Sequence, residues 1–146
     1  MFLSPAVHVL VGQSMSGKTE HVIKLLNNSA SLFKSPPVAL YYAYEIYQDI
    51  FKDINHPKIE FIQDLPNSSD IHSWGKLKGH KLLVIDDLML SALNSEDIFK
   101  LFTIHSHHYN ISCIFLNKCY LTRESLLEHC PCRQVIFIYL ITAETH

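Results

Sequence analysis

Eight residues, Gly12-Gln13-Ser14-Met15-Ser16-Gly17-Lys18-Thr19, constrain this chain more than any other stretch. They follow Ala6 to Val11, an apolar run of strand character, and lead into Lys18 to Asn27, where Val22, Ile23, Leu25 and Leu26 recur at helical spacing. A strand that turns through glycines straight into a helix leaves backbone N–H groups pointing out of the turn. The positive end of the helix dipole lies at the same place. Such a turn holds a chain of phosphates. Gly12 and Gly17 permit the tight wrap, and Gln13, Ser14, Met15 and Ser16 supply the backbone between them. Lys18 reaches the terminal phosphates, and the Thr19 hydroxyl ligates magnesium. ATP with Mg²⁺ is the expected ligand.

Downstream, short apolar runs alternate with helical stretches, the pattern of a mostly parallel sheet flanked by helices. Asn27-Asn28-Ser29 reads as a helix stop, and Pro36-Pro37 as a turn before a strand over Val38 to Tyr44. A short helix is expected over Glu45 to Asp53, an extended segment over Lys58 to Gln63, and a helix capped by Ser68-Ser69-Asp70 and running through Trp74. Lys81 to Asp86 reads as a buried strand. A helix follows from Asn94 to about His108, with Ile98, Leu101, Phe102 and His105 on one face. Further strands are expected over Ile111 to Leu116 and Gln134 to Ile141, with a helix opening at Thr122-Arg123-Glu124 between them. No repeat or linker divides the chain, so one domain over 1–146 is expected.

Composition narrows the partners. With 48% hydrophobic and 18% charged residues the chain is suited to a folded core. A formal charge of -2 gives no field that would draw nucleic acid to a single subunit. No apolar run is long enough to span a bilayer, and the first residues lack the character of a secretion signal, so a soluble intracellular protein without membrane contact is expected. Cys113, Cys119, Cys130 and Cys132 match no paired zinc spacing and read as free thiols, although Cys130-Pro131-Cys132 with His129 offers an alternative as a metal site.

The second chemical signal is Leu82-Leu83-Val84-Ile85-Asp86-Asp87. A buried strand ending in an acid is where nucleotide hydrolases hold the magnesium-facing carboxylate. Asp86 would take that role, and Asp87, turned differently, would be the base that polarises the attacking water. The plainer alternative is a strand followed by an acidic helix cap. Likewise His107 and His108 read as packing or surface residues sooner than as a metal pair, and Tyr41, Tyr42, Tyr44 and Tyr47 as core and rim sooner than as a base-stacking platform.

Taken together these segments resemble the packaging ATPases of the FtsK–HerA superfamily, particularly those of Maverick/Polinton-type elements and large DNA viruses including poxviruses. The resemblance rests on Gly12 to Thr19, on Pro36-Pro37 with Tyr41-Tyr42-Ala43-Tyr44-Glu45, and on Phe61-Ile62-Gln63-Asp64-Leu65-Pro66. More selective are Ile85-Asp86-Asp87-Leu88-Met89 and the stretch from Leu101 to Ser112 that contains Ser106-His107-His108. It covers about residues 5 to 120. It implies a three-layer P-loop NTPase core of the RecA type, in which another strand separates the acidic strand from the loop strand. It also implies a homo-oligomeric ring that hydrolyses ATP to move double-stranded DNA into a capsid, with capsid proteins as further partners. By position, Lys18 and Thr19 would bind phosphate and Mg²⁺, Asp86 the metal, and Asp87 would be the catalytic acid. Asn117 would stand at the polar sensor position, where glutamine is usual, and Arg123 would act in trans on a neighbour's nucleotide. Measured against the family pattern, the chain stops just after its last strand, so a domain shortened at its carboxyl end is expected.

Two other readings remain open on the residues themselves. A truncated relative that binds nucleotide without turnover would keep the fold as an assembly protein. A small-molecule kinase would need several arginines to clamp two substrates, and this chain has Arg123 and Arg133 alone. Lys76, Lys78 and Lys81 would be DNA-facing in a ring, or else an ordinary solvated loop.

Overall fold

The computed structural model describes residues 7–12, 18–88, 91–92, 94–105, 108–118 and 136–140. Its centre is a six-stranded sheet in the order β3-β2-β4-β5-β1-β6. The strands are β1 (Val7–Gly12), β2 (Ala39–Tyr44), β3 (Ile59–Gln63), β4 (Lys81–Asp86), β5 (Ile111–Lys118) and β6 (Ile136–Leu140). Every pairing is parallel except that of β6, which runs antiparallel to β1. The parallel strands carry the near-continuous apolar runs that such a sheet needs, being covered on both faces. In β4 each residue from Lys81 to Asp86 is buried.

Two apolar clusters fill the two faces, as strand alternation requires. On one face Tyr41, Ala43, Leu83, Ile85, Cys113 and Phe115 meet Ile71 and Trp74 of α3 (Ser68–Gly75). The same cluster takes in Ile98 of α4 (Glu96–Lys100) and Leu101 of the π-helical turn Leu101–His105. Tyr41 stacks on Trp74 at 4.0 Å between ring centroids. On the other face Leu40, Tyr42, Leu82, Val84, Ile114 and Leu116 meet Val22, Ile23 and Leu26 of α1 (Lys18–Asn27), with Phe33 and Phe51. The chain is thus an α/β fold of three layers. Among the described residues no helix is long and apolar enough to cross a membrane.

Several boundaries differ from the sequence expectation. The stop at Asn27-Asn28-Ser29 lasts one residue, because α2 (Ser29–Leu32) resumes the helix. Asn28 allows this by donating its side-chain amide to the Lys24 carbonyl at 2.7 Å. Asn27 instead reaches across the fold, donating to the Asp53 carbonyl and accepting from the Asn55 N–H at 2.7 Å. The helix expected over Glu45 to Asp53 shrinks to a 3₁₀ turn, Asp49–Asp53, whose one buried residue is Phe51. The cap of α3 is Asn67, in a reciprocal capping box with Asp70. The helix expected from Asn94 starts two residues later, at Glu96, with Ser95 accepting from the Ile98 N–H, and passes into the π turn Leu101–His105. The last strand is antiparallel where a parallel one would extend the pattern. Thr122 to Glu124 lies outside the described residues.

At the end of the sheet where β4 starts, the chain is tightly set. Gly79 has φ +105, and a Cβ there would come within 2.9 Å of Val38. His80 is buried between Ser35 and Ser112. Because the Ser35 carbonyl can only accept, Nδ1 of His80 carries the proton, and Nε2 accepts from the Ser112 hydroxyl, each at 2.7 Å. Burial lowers the affinity of this ring for a second proton.

Candidate functional site

Gly12, Lys18, Asp86, Asp87 and Asn117 lie toward the opposite end of the sheet. β1 ends at Gly12, and α1 begins at Lys18, whose side chain is buried. Residues 13–17, which complete the glycine loop, lie outside the described residues. So do Arg123, Met89, Ser106, His107, His129, Cys130 and Cys132. Thr19 follows in the first turn of α1 and is half-buried.

Strand register fixes the level of the remaining candidates. Asp86 pairs with Leu116 of β5, and Leu116 pairs with Leu10 of β1. The acid at the end of β4 is therefore level with a residue two positions before Gly12. One strand intervenes, so at about 4.8 Å per strand the two backbones run roughly 10 Å apart. Asn117 lies one step beyond Leu116, paired with Val11, on the strand between them. Its register at the end of β5 thus puts its backbone between the acidic strand and the loop strand.

Asp86 is buried, at 5% exposure, and its Oδ2 accepts a 2.7 Å hydrogen bond from the hydroxyl of Tyr42 on the neighbouring strand β2. A carboxylate offers about four lone-pair directions, so this bond does not exhaust its capacity to accept. Burial, then the Asp86 charge and the hydrogen bond to it, then the charge of Asp87, push the Tyr42 phenol far above its ordinary value. The hydroxyl therefore stays protonated and stays a donor. The sequence places Tyr42 among core and rim tyrosines sooner than in a base-stacking platform, with no link to Asp86. Its link to Asp86 depends on β2 lying beside β4, an adjacency that no spacing along the chain reveals.

Asp87 leaves the strand abruptly. Its φ is +57, in the left-handed region, while its N–H donates to the Leu116 carbonyl at 3.0 Å. Asp and Asn tolerate this conformation better than other side chains that carry a Cβ. The turn ends the alternation of β4, so Asp86 and Asp87 are presented differently. Oδ1 of Asp87 is closed off from solvent.

The donor set suits a hard divalent cation. Among the described residues no three His, Cys, Asp or Glu side chains gather into a metal cage. Mg²⁺ in phosphoryl-transfer sites is instead held by one or two carboxylates together with phosphates and water. A buried carboxylate at the strand end, with Thr19 at the start of α1, fits that mode.

The lysine group does not survive as a basic surface. Lys76 and Lys78 are exposed, but Lys81 is buried at 2% exposure and donates to the Leu77 carbonyl at 2.7 Å. Burial lowers its proton affinity. Lys81 is a structural residue, not a DNA contact. Of the tyrosines, Tyr41 and Tyr42 are core, Tyr44 is half-buried and Tyr47 is exposed.

No family model matches the chain, and no curated protein matches it.

Proposed function

We propose that the chain binds MgATP between the start of α1 and the end of β4 and hydrolyses it, as a P-loop NTPase of the RecA type. The observation that carries this reading is the order β4-β5-β1, with Asp86 at the end of β4 and Asp87 just beyond it, Gly12 at the end of β1, and Lys18 at the start of α1. The glycine loop between β1 and α1 supports it from the sequence.

In this reading the backbone of residues 12–18 and the α1 dipole hold the phosphates, and the Lys18 ammonium neutralises charge on the terminal ones. Bound Mg²⁺ supplies electrostatic stabilisation of the phosphate oxygens. Asp86 and Thr19 would hold that cation. Asp87, held in its turn by the bond to Leu116, orients the attacking water and takes its proton. Asn117 is suited by its strand position to sense the terminal phosphate. Arg123 would be supplied by a neighbouring subunit, where a cation stabilises charge developing in the transition state.

The biological setting rests on the resemblance of Asp86-Asp87-Leu88-Met89 and of the segment around Ser106-His107-His108 to packaging ATPases. The proposed setting is a homo-oligomeric ring that translocates double-stranded DNA into a capsid. Hydrolysis measured with and without double-stranded DNA tests it on the wild type, Lys18→Ala and Asp87→Asn. Lys18→Ala should weaken ATP binding; Asp87→Asn should bind ATP and lose turnover. Equal activity in all three proteins would sink the assignment. Tight binding with no turnover under any condition would favour a nucleotide-dependent assembly protein. Transfer of phosphate to a small acceptor without DNA would favour a kinase.

A further inference from the structure

We infer that Tyr42 is a positioning residue for Asp86, orienting its carboxylate toward the cation of the bound nucleotide by donating a hydrogen bond to Oδ2. This rests on the nucleotide reading above.

The geometry is built rather than incidental. Tyr42 is fully buried, in the middle of β2, with its backbone level with Val84. From there its side chain reaches diagonally to the next residue on the same face of β4, Asp86. Its ring is held by Phe51 at 4.6 Å and by Phe61 at 5.9 Å between centroids. Phe51 and Phe61 in turn stack on each other at 5.9 Å, with 16° between their planes. Rings from β2, β3 and the 3₁₀ turn thus fix the hydroxyl, and the hydroxyl fixes one carboxylate oxygen. A tyrosine serves this task because its large apolar body anchors in the core while its tip stays polar.

A carboxylate with one oxygen already held loses little rotational freedom when it meets a cation. Phosphate binding by the loop and Lys18 does not pass through Tyr42. Cation affinity and bare nucleotide affinity should therefore separate when the hydroxyl is removed.

The test compares ATP binding by the wild type and Tyr42→Phe, in excess EDTA and across a Mg²⁺ titration, with titration calorimetry. Tyr42→Phe keeps the ring and its packing. ATP affinity in EDTA should be equal in the two proteins, while the Mg²⁺-dependent gain should fall about tenfold in the variant. Phe51→Leu keeps the hydroxyl but loosens the ring that carries it, and should lose part of that gain, less than Tyr42→Phe does. The same Mg²⁺ gain in wild type and Tyr42→Phe would overturn the positioning role, as would a larger loss in Phe51→Leu than in Tyr42→Phe. Should Tyr42→Phe not fold, 4-fluorophenylalanine at position 42, which fills the para position and cannot donate, replaces it, and an unaltered Mg²⁺ dependence again overturns the role. Absence of ATP binding by the wild type would sink the nucleotide reading itself, and this role with it.

Discussion

His80 and Ser112 meet at 2.7 Å in the interior, with the serine hydroxyl donating to Nε2 of a ring whose other nitrogen is committed to the Ser35 carbonyl. The pair ties the segment before β2 to the starts of β4 and β5. With the serine donating, the ring is neutral; a second proton on Nε2 would turn that acceptor into a donor and force the hydroxyl round to accept, while placing a charge in the interior.

A loss of stability at mildly acidic pH follows. Burial lowers the folded-state proton affinity of His80 below its ordinary value near 6.5. As pH falls through that value the unfolded chain takes up a proton that the folded chain refuses, so stability drops. Above it the contribution is complete. His105 acts in the same direction, its proton affinity lowered by burial and by the charges of His72, His108 and Lys100. Urea unfolding at pH 7.5 and pH 5.5 should show a lower midpoint in acid, and Ser112→Ala should weaken the fold by about 1 kcal/mol at pH 7.5.

Gly75 closes α3 against the ring of Tyr109. A Cβ there would lie 2.6 Å from a ring carbon, and the ring cannot swing freely. The Tyr109 hydroxyl is bonded to His72 at 2.7 Å, and its ring stacks on His105 at 4.9 Å. Gly75→Ala should therefore cost about 1–3 kcal/mol by overpacking, despite the better helix propensity of alanine. A thermal midpoint equal to or above that of the wild type would refute this.

Cys113 is buried, and burial raises its thiol well above the ordinary range. It should resist alkylation in the folded protein and react once the chain is unfolded in urea. Mass spectrometry of the peptide carrying Cys113, before and after unfolding, reads this directly.

The conformation of Asp87 gives a control for the catalytic test. Asparagine accepts φ near +57 about as well as aspartate, whereas alanine does not. Asp87→Ala should be about 1 kcal/mol less stable than Asp87→Asn, even if both lose turnover equally. Equal unfolding free energies for the two variants would contradict the assigned backbone geometry.

Much of the fold was legible where a segment's own residues decide its state. α1 follows from the spacing of Val22, Ile23 and Leu26, and β4 from an unbroken apolar run that only a strand covered on both faces can bury. Readings failed where a side chain chose between local and distant partners. Asn28 bonds back to Lys24 and lets the helix resume, while Asn27, beside it and of the same type, bonds to Asp53 and Asn55. Lys81 reads both as the first residue of a buried strand and as one of a lysine group, and only the fold, which brings the Leu77 carbonyl within reach of its ammonium, decides for burial. For the candidate site, Asp86 and Asp87 were legible as the end of such a strand. The Tyr42 bond was not, since parallel strands join through crossovers whose order in the sheet has no trace in spacing.

The reversed direction of β6 has a practical consequence. Its first residue, Ile136, pairs with Val11 beside the glycine loop, whereas Leu140 pairs with Val7 at the far end. A dye or surface anchor on Leu140 itself therefore sits at the end of the sheet away from Gly12, whereas one on Ile136 sits at the Gly12 end. The two positions of one short strand thus report on opposite ends of the sheet.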